Sequence, residues 1–193
     1  MLGILDYGMG NIFSIKNAAK NIGLESTIIS NPEDLKETSS LILPGVGAYG
    51  YAMNKLRNNN LIEPILEFID TGKYILGICL GMQLLVKKSF EFEENDGIGV
   101  LEGECIKFRN ISDQKIIVPH TMWNKIKISR NKSDRIGIFD KIDDESFFYF
   151  VHSYYVQKQV IDEVISIASY NDIEFCSAFQ KENVIGLQFH PEK

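Results

Sequence analysis

The first ninety residues alternate between short apolar segments, which predict strands, and segments whose apolar residues have helical spacing. The predicted strands are residues 2–5, 27–29, 41–43 and 74–78. The predicted helices are residues 12–22, 54–58 and 62–70. An alternation of this kind is typical of a mainly parallel sheet covered by helices on both faces. The chain is therefore predicted to be an α/β protein.

The second half of the chain is richer in strand-like segments. The predicted strands are residues 104–108, 125–128, 147–151, 154–158, 164–170, 175–180 and 184–188. Those after residue 140 are separated by short turns, so we expect them to add antiparallel strands to the sheet. In open α/β sheets the active site lies at the carboxyl ends of the strands, which is where we expect the functional residues to meet.

Composition excludes several classes of protein. The net charge is −6 and the basic residues are scattered, whereas a nucleic-acid-binding protein needs a concentrated basic patch. No apolar run approaches the roughly 18–20 residues of a membrane span, and residues 1–6 lack the features of a targeting signal. Three cysteines without metal-ligand spacing fit a reducing cytoplasm, and Cys105 and Cys176 lie in strand-like segments typical of a core.

The strongest catalytic pattern surrounds Cys79. Residues 77–83 read Gly-Ile-Cys-Leu-Gly-Met-Gln, between a predicted strand and a helix-like segment. The thiol is thereby expected on a tight strand-to-helix turn, where the N–H groups and dipole of the helix start favour a thiolate. Gln83 lies one helical turn further along the same face and can contact what the thiol attacks. Taken alone, the pattern is also that of a buried cysteine in an ordinary β–α turn.

A candidate base lies near the end of the sequence. Pro191 disfavours a helix at His190, so His190 and Glu192 are expected to share one face of an extended segment. The carboxylate can then bind one imidazole nitrogen and leave the other for the thiol, as in acyl-transfer triads. A His-Pro-Glu sequence alone is also typical of a surface turn, and the other two histidines have no following carboxylate.

A glycine-rich turn follows the third predicted strand. Residues 43–48 read Leu-Pro-Gly-Val-Gly-Ala, without the Lys-Ser/Thr continuation of a phosphate-binding P-loop. We expect backbone N–H groups of this turn, together with the N–H of Leu80, to be able to hold an oxyanion. Taken alone, the segment is equally typical of a simple turn.

Taken together, the sequences at 77–83, 44–47 and 190–192 resemble the class-I, triad-type glutamine amidotransferases. Three further sequences resemble the HisH branch of that family, the glutaminase subunits of imidazole glycerol phosphate synthase. They are Asp-Tyr-Gly-x-Gly-Asn at 6–11, Val-Pro-His-x-x-Trp-Asn at 118–124 and Tyr-Phe-Val-His-Ser-Tyr-Tyr at 149–155. The resemblance runs from residue 2 to residue 193 and implies a flavodoxin-like three-layer sandwich, with residues 1–193 forming a single domain.

The resemblance implies a glutaminase that needs no metal and no organic cofactor. Cys79 would attack the carboxamide of L-glutamine to form a γ-glutamyl thioester, His190 would act as acid and base, and Glu192 would orient the imidazole. The residues implied in oxyanion and substrate binding are Gly45, Val46, Gly47, Leu80, Gln83, Ser153 and Tyr154.

The implied partner is a HisF-type (β/α)₈-barrel cyclase, which would form a heterodimer and use the ammonia to make imidazole glycerol phosphate and AICAR in histidine biosynthesis. The implied interface residues are Asn11, Trp123 and Lys181. A lone tryptophan is also often part of a core. The chain departs from the family at Met122, where a glycine is usual, and it ends at Lys193 where the family continues, so we expect the sequence to be truncated there.

Three alternatives compete with the histidine-pathway glutaminase. A HisH-like paralogue would supply ammonia for sugar amidation in surface polysaccharide synthesis. An inactive binding subunit on the same scaffold would not need the intact triad residues. A thiol hydrolase acting on a peptide or γ-glutamyl substrate would not need the Pro-Gly-Val-Gly turn.

Overall fold

The computed structural model describes residues 1–110, 115–129, 137–158 and 163–193. The strands are β1 (Leu2–Leu5), β2 (Ser26–Ile29), β3 (Ser40–Leu43), β4 (Tyr74–Ile78), β5 (Val86–Ser89), β6 (Asn95–Asp96), β7 (Leu101–Lys107), β8 (His120–Ile128), β9 (Phe147–His152), β10 (Tyr154–Val156), β11 (Val164–Tyr170), β12 (Ile173–Lys181) and β13 (Val184–Leu187). The α-helices are α1 (Ile12–Asn21), α2 (Tyr49–Asn58), α3 (Ile62–Asp70) and α4 (Leu80–Leu85), and Pro32–Glu37 is a 3₁₀ helix.

Most of the strands form one large mixed sheet. In the described part of the chain its order is β2-β1-β3-β4-β13-β12-β11-β8-β9. Neighbours from β2 to β13 are parallel, in the 2-1-3-4-5 arrangement of flavodoxin-like folds, and the remaining neighbours are antiparallel. The α/β class, the flavodoxin-like sandwich and the antiparallel additions are therefore confirmed.

A second, smaller sheet was not predicted. Its order is β10-β7-β5-β6, so β10 leaves the main sheet, to which the sequence had assigned it. Strand β5 follows α4 without residues typical of a turn. It also contains two consecutive lysines, which interrupt the apolar pattern by which a strand is predicted. Helix α2 also begins at Tyr49, five residues before the predicted start, because a glycine and a tyrosine in its first turn weaken the helical pattern.

The parallel strands bury both faces, as their uniformly apolar sequences predict. On one face Ile4 and Ile42 pack with Ile15 of α1. On the other face Leu5 and Leu43 belong to the cluster that includes the buried residues of α2 and α3. Neighbouring residues of a strand thus contact helices on opposite sides, which gives the three layers.

The parallel register determines where the functional residues lie. Strands β1, β3, β4 and β13 end at one edge of the sheet, which we call the carboxyl rim. The 6–11 turn follows β1, the 44–47 turn follows β3, Cys79 follows β4 and the His-Pro-Glu segment follows β13. The rim therefore collects the predicted nucleophile, the glycine-rich turn and the predicted base with its carboxylate. In the described ranges, no helix combines the length and the apolar character needed to cross a membrane.

Candidate active site

Cys79 occupies a strained turn between β4 and α4. Its backbone dihedral angles are φ 53° and ψ −110°, a region that non-glycine residues rarely adopt and that active sites often retain. The glycines on either side of Cys79 are required because there is no room for a side chain at either position. A Cβ atom on Gly81 would lie 1.9 Å from the carbonyl oxygen of Leu43, and one on Gly77 would lie 2.7 Å from the carbonyl oxygen of Gly81. This close packing of β3 and β4 against α4 holds the thiol at the helix start.

His190 and Glu192 form the predicted pair. Nδ1 of His190 lies 2.8 Å from Oε1 of Glu192, and both side chains are more than nine-tenths buried. The backbone N–H of His190 donates to the carbonyl oxygen of Tyr149, which ties the segment to β9. The chain turns at Pro191 and Glu192, where the backbone N–H of Lys193 donates to the carbonyl oxygen of His190 at 3.4 Å, so a turn and not the predicted extended segment brings the imidazole and its orienting carboxylate together.

The electrostatics of the pair favour a charged imidazole. Burial alone would lower the pKa of His190, but the neighbouring Cys79 and Glu192 raise it to about 10. Burial alone would raise the pKa of Glu192, but its hydrogen bond to His190 holds that pKa below the usual value. A buried carboxylate thus favours the imidazolium form of His190, and a positive charge beside a cysteine is the environment of an activated nucleophile.

Two polar groups besides His190 lie near the sulfur of Cys79. The sulfur lies 3.8 Å from the carbonyl oxygen of Val151 and 3.8 Å from Nε2 of Gln188. Nε2 of His190 is buried, and its interaction with Cys79 helps to raise the pKa of the imidazole. The carbonyl oxygen of Val151 can accept a hydrogen bond from a thiol, whereas the amide nitrogen of Gln188 can donate one to a thiolate.

A cavity of about 290 Å³ opens at Cys79. It is lined by Val46, Gly47, Cys79, Leu80, Gln83, Glu91, Pro119, Val151, His152, Ser153 and Tyr154. Every residue that the sequence assigned to oxyanion and substrate binding, with the exception of Gly45, contributes to this lining. The structure thus brings together residues from five separate parts of the chain around the thiol.

Gly45 lies behind the lining, at the base of the 44–47 turn. A Cβ atom there would lie 2.8 Å from the backbone nitrogen of Gly81, so the turn lies directly against the start of α4. The buried hydroxyl of Tyr7 donates to the carbonyl oxygen of Pro44 at 2.8 Å and fixes the first peptide of the turn. Burial, and then proximity to Cys79, raise the pKa of Tyr7, so this hydroxyl stays protonated. Nothing in the sequence around Tyr7 predicts this role at the site.

Glu91 is a second residue of the site that the sequence does not predict. Its carboxylate lines the cavity and accepts a hydrogen bond from the backbone N–H of Tyr49, the first residue of α2. Burial raises the pKa of Glu91, and the hydrogen bond from Tyr49 opposes that shift. The start of a helix stabilises a negatively charged carboxylate, so Glu91 gives the cavity a negatively charged hydrogen-bond acceptor.

His120 and His152 form a buried pair that does not supply the base. Nδ1 of His152 donates to the carbonyl oxygen of Tyr154 at 2.7 Å, so its Nε2 accepts from Nδ1 of His120 at 3.0 Å. Nε2 of His120 in turn lies 3.2 Å from the amide nitrogen of Asn124. Each ring nitrogen is thus occupied in the neutral tautomer. Burial lowers the pKa of His120 to about 4 and that of His152 to about 3.

The similarity of the chain to known proteins agrees with this geometry. Over residues 3–193 the sequence matches the family Glutamine amidotransferase class-I. The imidazole glycerol phosphate synthase subunit HisH of Sulfurimonas denitrificans is 43% identical, with 100% of this chain and 91% of that protein covered. The chain belongs to the HisH family of class-I glutamine amidotransferases. HisH subunits of Helicobacter hepaticus and Geobacter sulfurreducens are 40% and 37% identical, with the same coverage of 100% and 91%. The chain is accordingly a glutamine amidotransferase.

Solved structures share the fold. The structure of PurLQS from Thermotoga maritima superposes with a TM-score of 0.74 at 21% identity, covering 99% of this chain and 87% of that chain. A crystal structure of a glutamine amidotransferase gives a TM-score of 0.70 at 19% identity, with coverage of 99% and 90%. The arrangement of sheet and helices is thus the one found in amidotransferase structures.

The three predicted interface residues lie in different places. Trp123 is 53% exposed, pairs with Tyr149 across β8 and β9, and lies beyond the carboxyl rim near His190. Asn11 is exposed on the turn after β1, and its side chain accepts a hydrogen bond from the backbone N–H of Ser14 at the start of α1. Lys181 pairs with Val184 at the opposite edge of the sheet. The structure therefore brings Asn11 and Trp123 to the rim and does not bring Lys181 there.

The neutral histidine pair predicts acid sensitivity. Between about pH 6.5, where an unfolded histidine gains its proton, and pH 4, the unfolded chain binds protons at His120 and His152 while the folded protein does not. The free energy of unfolding should therefore fall as the pH drops through this window, by about 2 kcal/mol for each histidine between pH 7 and pH 5. Urea denaturation at the two pH values measures it. A protein equally stable or more stable at pH 5 would show that the pair charges without cost.

Proposed function

We propose that this protein hydrolyses L-glutamine through a Cys79–His190–Glu192 triad. The thiolate of Cys79 attacks the carboxamide carbon, and the resulting oxyanion is held by backbone N–H groups of Leu80 and the 45–47 turn. The imidazolium of His190 protonates the leaving nitrogen, so the C–N bond breaks, ammonia departs and a γ-glutamyl thioester remains. His190 then takes a proton from water, whose oxygen replaces sulfur and releases glutamate.

The observation that carries this proposal is the position of the Cys79 thiol. It is held on a strained helix start, beside a buried His190–Glu192 pair and at the opening of the cavity. The cavity volume of about 290 Å³ suits a single small amino acid, being at the lower end of ligand sites. Membership of the class-I glutamine amidotransferase family supports glutamine as the amide substrate.

The lining of the cavity also suits glutamine. Both N–H groups of the Gln83 amide are occupied, by the carbonyl oxygen of Tyr154 and by Gln188, each at 2.9 Å. Gln83 therefore offers the substrate an acceptor, its Oε1 atom. The Glu91 carboxylate is a second acceptor, and we infer that it pairs with the α-ammonium group of glutamine. Main-chain groups of Ser153 and Tyr154 contribute the remaining polar contacts.

We further propose that residues 1–193 act as one domain of a cytoplasmic heterodimer with a HisF-type barrel cyclase, in which ammonia passes directly to that subunit for histidine biosynthesis. The relatives at 37–43% identity are named subunits of imidazole glycerol phosphate synthase, which supports this assignment. Exposed apolar side chains near the rim offer a docking surface, and they are Val46, Met122, Trp123 and Val151.

Trp123→Ala should weaken association with the cyclase by about 2 kcal/mol or more, because exposed tryptophans at the centre of an interface act as hot spots. Isothermal titration calorimetry measures the change. Tyr74→Ala is the matched control, since Tyr74 is 44% exposed but lies at the amino end of β4, away from the rim. If both variants bind as the wild type does, Trp123 is not an interface residue.

The proposed function is tested by measuring glutamate release from glutamine, first by this chain alone and then with its cognate HisF-type subunit and the ribonucleotide substrate of the cyclase. We expect low activity alone and strong stimulation by the complete system. Absence of stimulation, in a protein whose Cys79 still reacts with glutamine-like electrophiles, would instead favour the paralogue that serves sugar amidation.

A further inference from the structure

We propose that Gln188 is a further catalytic residue, which donates a hydrogen bond to the sulfur of Cys79 and stabilises its thiolate. This inference rests on the proposed role of Cys79 as the nucleophile. Gln188 immediately follows β13 and is fully buried. Its backbone N–H donates to the carbonyl oxygen of Ser177, while the preceding carbonyl, of Leu187, accepts from the N–H of Cys79 at 2.7 Å. The two residues are therefore held side by side through the main chain.

The orientation of the Gln188 amide is determined by Gln83. An amide nitrogen can only donate, and Nε2 of Gln83 donates to Oε1 of Gln188 at 2.9 Å. The oxygen of the Gln188 amide is thereby assigned, so its Nε2 is the group that lies 3.8 Å from the sulfur. A second bond from Gln83 to the carbonyl oxygen of Tyr154 prevents Gln83 from turning. The donor that faces Cys79 is thus fixed by a buried chain of hydrogen bonds.

The contacts of the sulfur with Val151 and with Gln188 favour opposite protonation states. The carbonyl oxygen of Val151 can only accept, so it favours the thiol and disfavours the thiolate. The N–H of Gln188 favours the thiolate, because donors to charged acceptors form the stronger hydrogen bonds. When the thiol loses its proton, the contact with Val151 loses its hydrogen and the contact with Gln188 strengthens. Gln188 therefore acts on the charged state from which attack begins.

The same chain links the substrate to the nucleophile. Gln83 lines the cavity, and because its amide nitrogen is occupied, its amide oxygen is the group left to accept a hydrogen bond from the substrate. A glutamine that donates to Oε1 of Gln83 polarises the amide of Gln83, whose N–H then binds Gln188 more strongly. Gln188 in turn becomes a better donor to the sulfur. Occupation of the pocket thus stabilises the thiolate without a change in the position of Cys79.

The test is the rate at which iodoacetamide alkylates Cys79 in Gln188→Leu and wild-type protein between pH 5 and pH 9. Cys105 and Cys176 are fully buried, and burial raises the pKa of both thiols, so alkylation reports on Cys79. We expect a rate about 10- to 100-fold lower at pH 7 and a pH profile displaced to higher pH, because a hydrogen bond to a charge is lost. The kcat for glutamine should fall by a similar factor, with KM changed much less.

Gln180→Leu is the matched control. Gln180 is also a buried glutamine, on the adjacent strand β12, but its amide nitrogen donates to the carbonyl oxygen of Glu182 and not to the site. In the Gln180→Leu variant, Cys79 should be alkylated at the wild-type rate. If Gln188→Leu fails to fold, as judged by circular dichroism, Gln188→Asn keeps the amide but withdraws it from the sulfur, and it should show the same slow alkylation.

Wild-type alkylation rates and an unmoved pH profile in the folded Gln188 variants would overturn the inference, and so would an equal slowing in Gln180→Leu. Neither readout requires glutamine turnover. A failure of the proposed function, in which Cys79→Ala retains glutaminase activity, is therefore distinguishable from a failure of this inference.

Discussion

Replacing Cys79 with alanine is expected to lower glutamine hydrolysis by about 10⁴-fold or more, because the only nucleophile of the proposed mechanism is removed. The fold should persist, since the alanine side chain fits within the volume of the cysteine and the strained backbone already accommodates a Cβ atom. Glutamate release with the cognate cyclase present, and circular dichroism of the isolated chain, measure the two outcomes.

Cys176→Ala is the control for this change. Cys176 is another buried free cysteine, but it lies in the interior of β12 and away from the cavity. Its replacement can cost stability through a small void and should leave kcat near the wild-type value. Retained turnover in Cys79→Ala would remove Cys79 from the mechanism, whatever the behaviour of the control.

Replacing His190 with glutamine should lower kcat by about 10²- to 10⁴-fold, the usual contribution of a general acid–base. Two effects act in the same direction. The leaving nitrogen loses its proton donor, and the thiolate of Cys79 loses the adjacent positive charge that the raised pKa of His190, about 10, provides at neutral pH. The rate of Cys79 alkylation at pH 7 should therefore fall together with kcat.

His120→Gln distinguishes the two candidate bases. His120 is fully buried and held neutral between His152 and Asn124, and it does not line the cavity. Its loss should reduce stability while kcat stays within about tenfold of the wild-type value, since no proton transfer is assigned to it. The reverse result, an active His190→Gln and an inactive His120→Gln, would place the base in the buried pair.

The parts of the fold that could be predicted are those in which local sequence determines burial. The parallel strands are short and apolar throughout because both faces are covered, so they were found with nearly the observed bounds. Strand β5 was missed because Lys87 and Lys88 are stabilised by Glu102 and Glu104 of the neighbouring strand, a pairing that cannot be read from one segment. The same non-local pairing draws β10 into the second sheet.

The residues of the site likewise divide into those that local sequence predicts and those that depend on long-range contacts. Cys79 with its glycines, and His190 with Glu192, are local sequences whose chemistry follows from spacing alone. Tyr7 acts through Pro44, and Glu91 through the helix start at Tyr49, contacts that span 37 and 42 residues. Such contacts depend on the assembled rim, so sequence reasoning had no signal for them.

Lys181 lies far from the other two predicted interface residues. Its role was inferred from the resemblance, but antiparallel pairing carries β12 away from the rim before the chain reaches that residue. Its ammonium group donates instead to the carbonyl oxygen of Val100 at 2.8 Å. The distance of a residue from the rim depends on the register of its strand, and that register is set by pairing with the neighbouring strands.

The most direct test of the central claim is covalent labelling by a glutamine-derived electrophile, such as a diazoketone analogue, with the labelled residue identified by peptide mass spectrometry. The proposed mechanism predicts one label per chain, on Cys79, formed more slowly when excess L-glutamine competes for the cavity. A label on another residue, or a labelling rate that glutamine does not change, would contradict the assignment of Cys79 and its cavity as the glutaminase site.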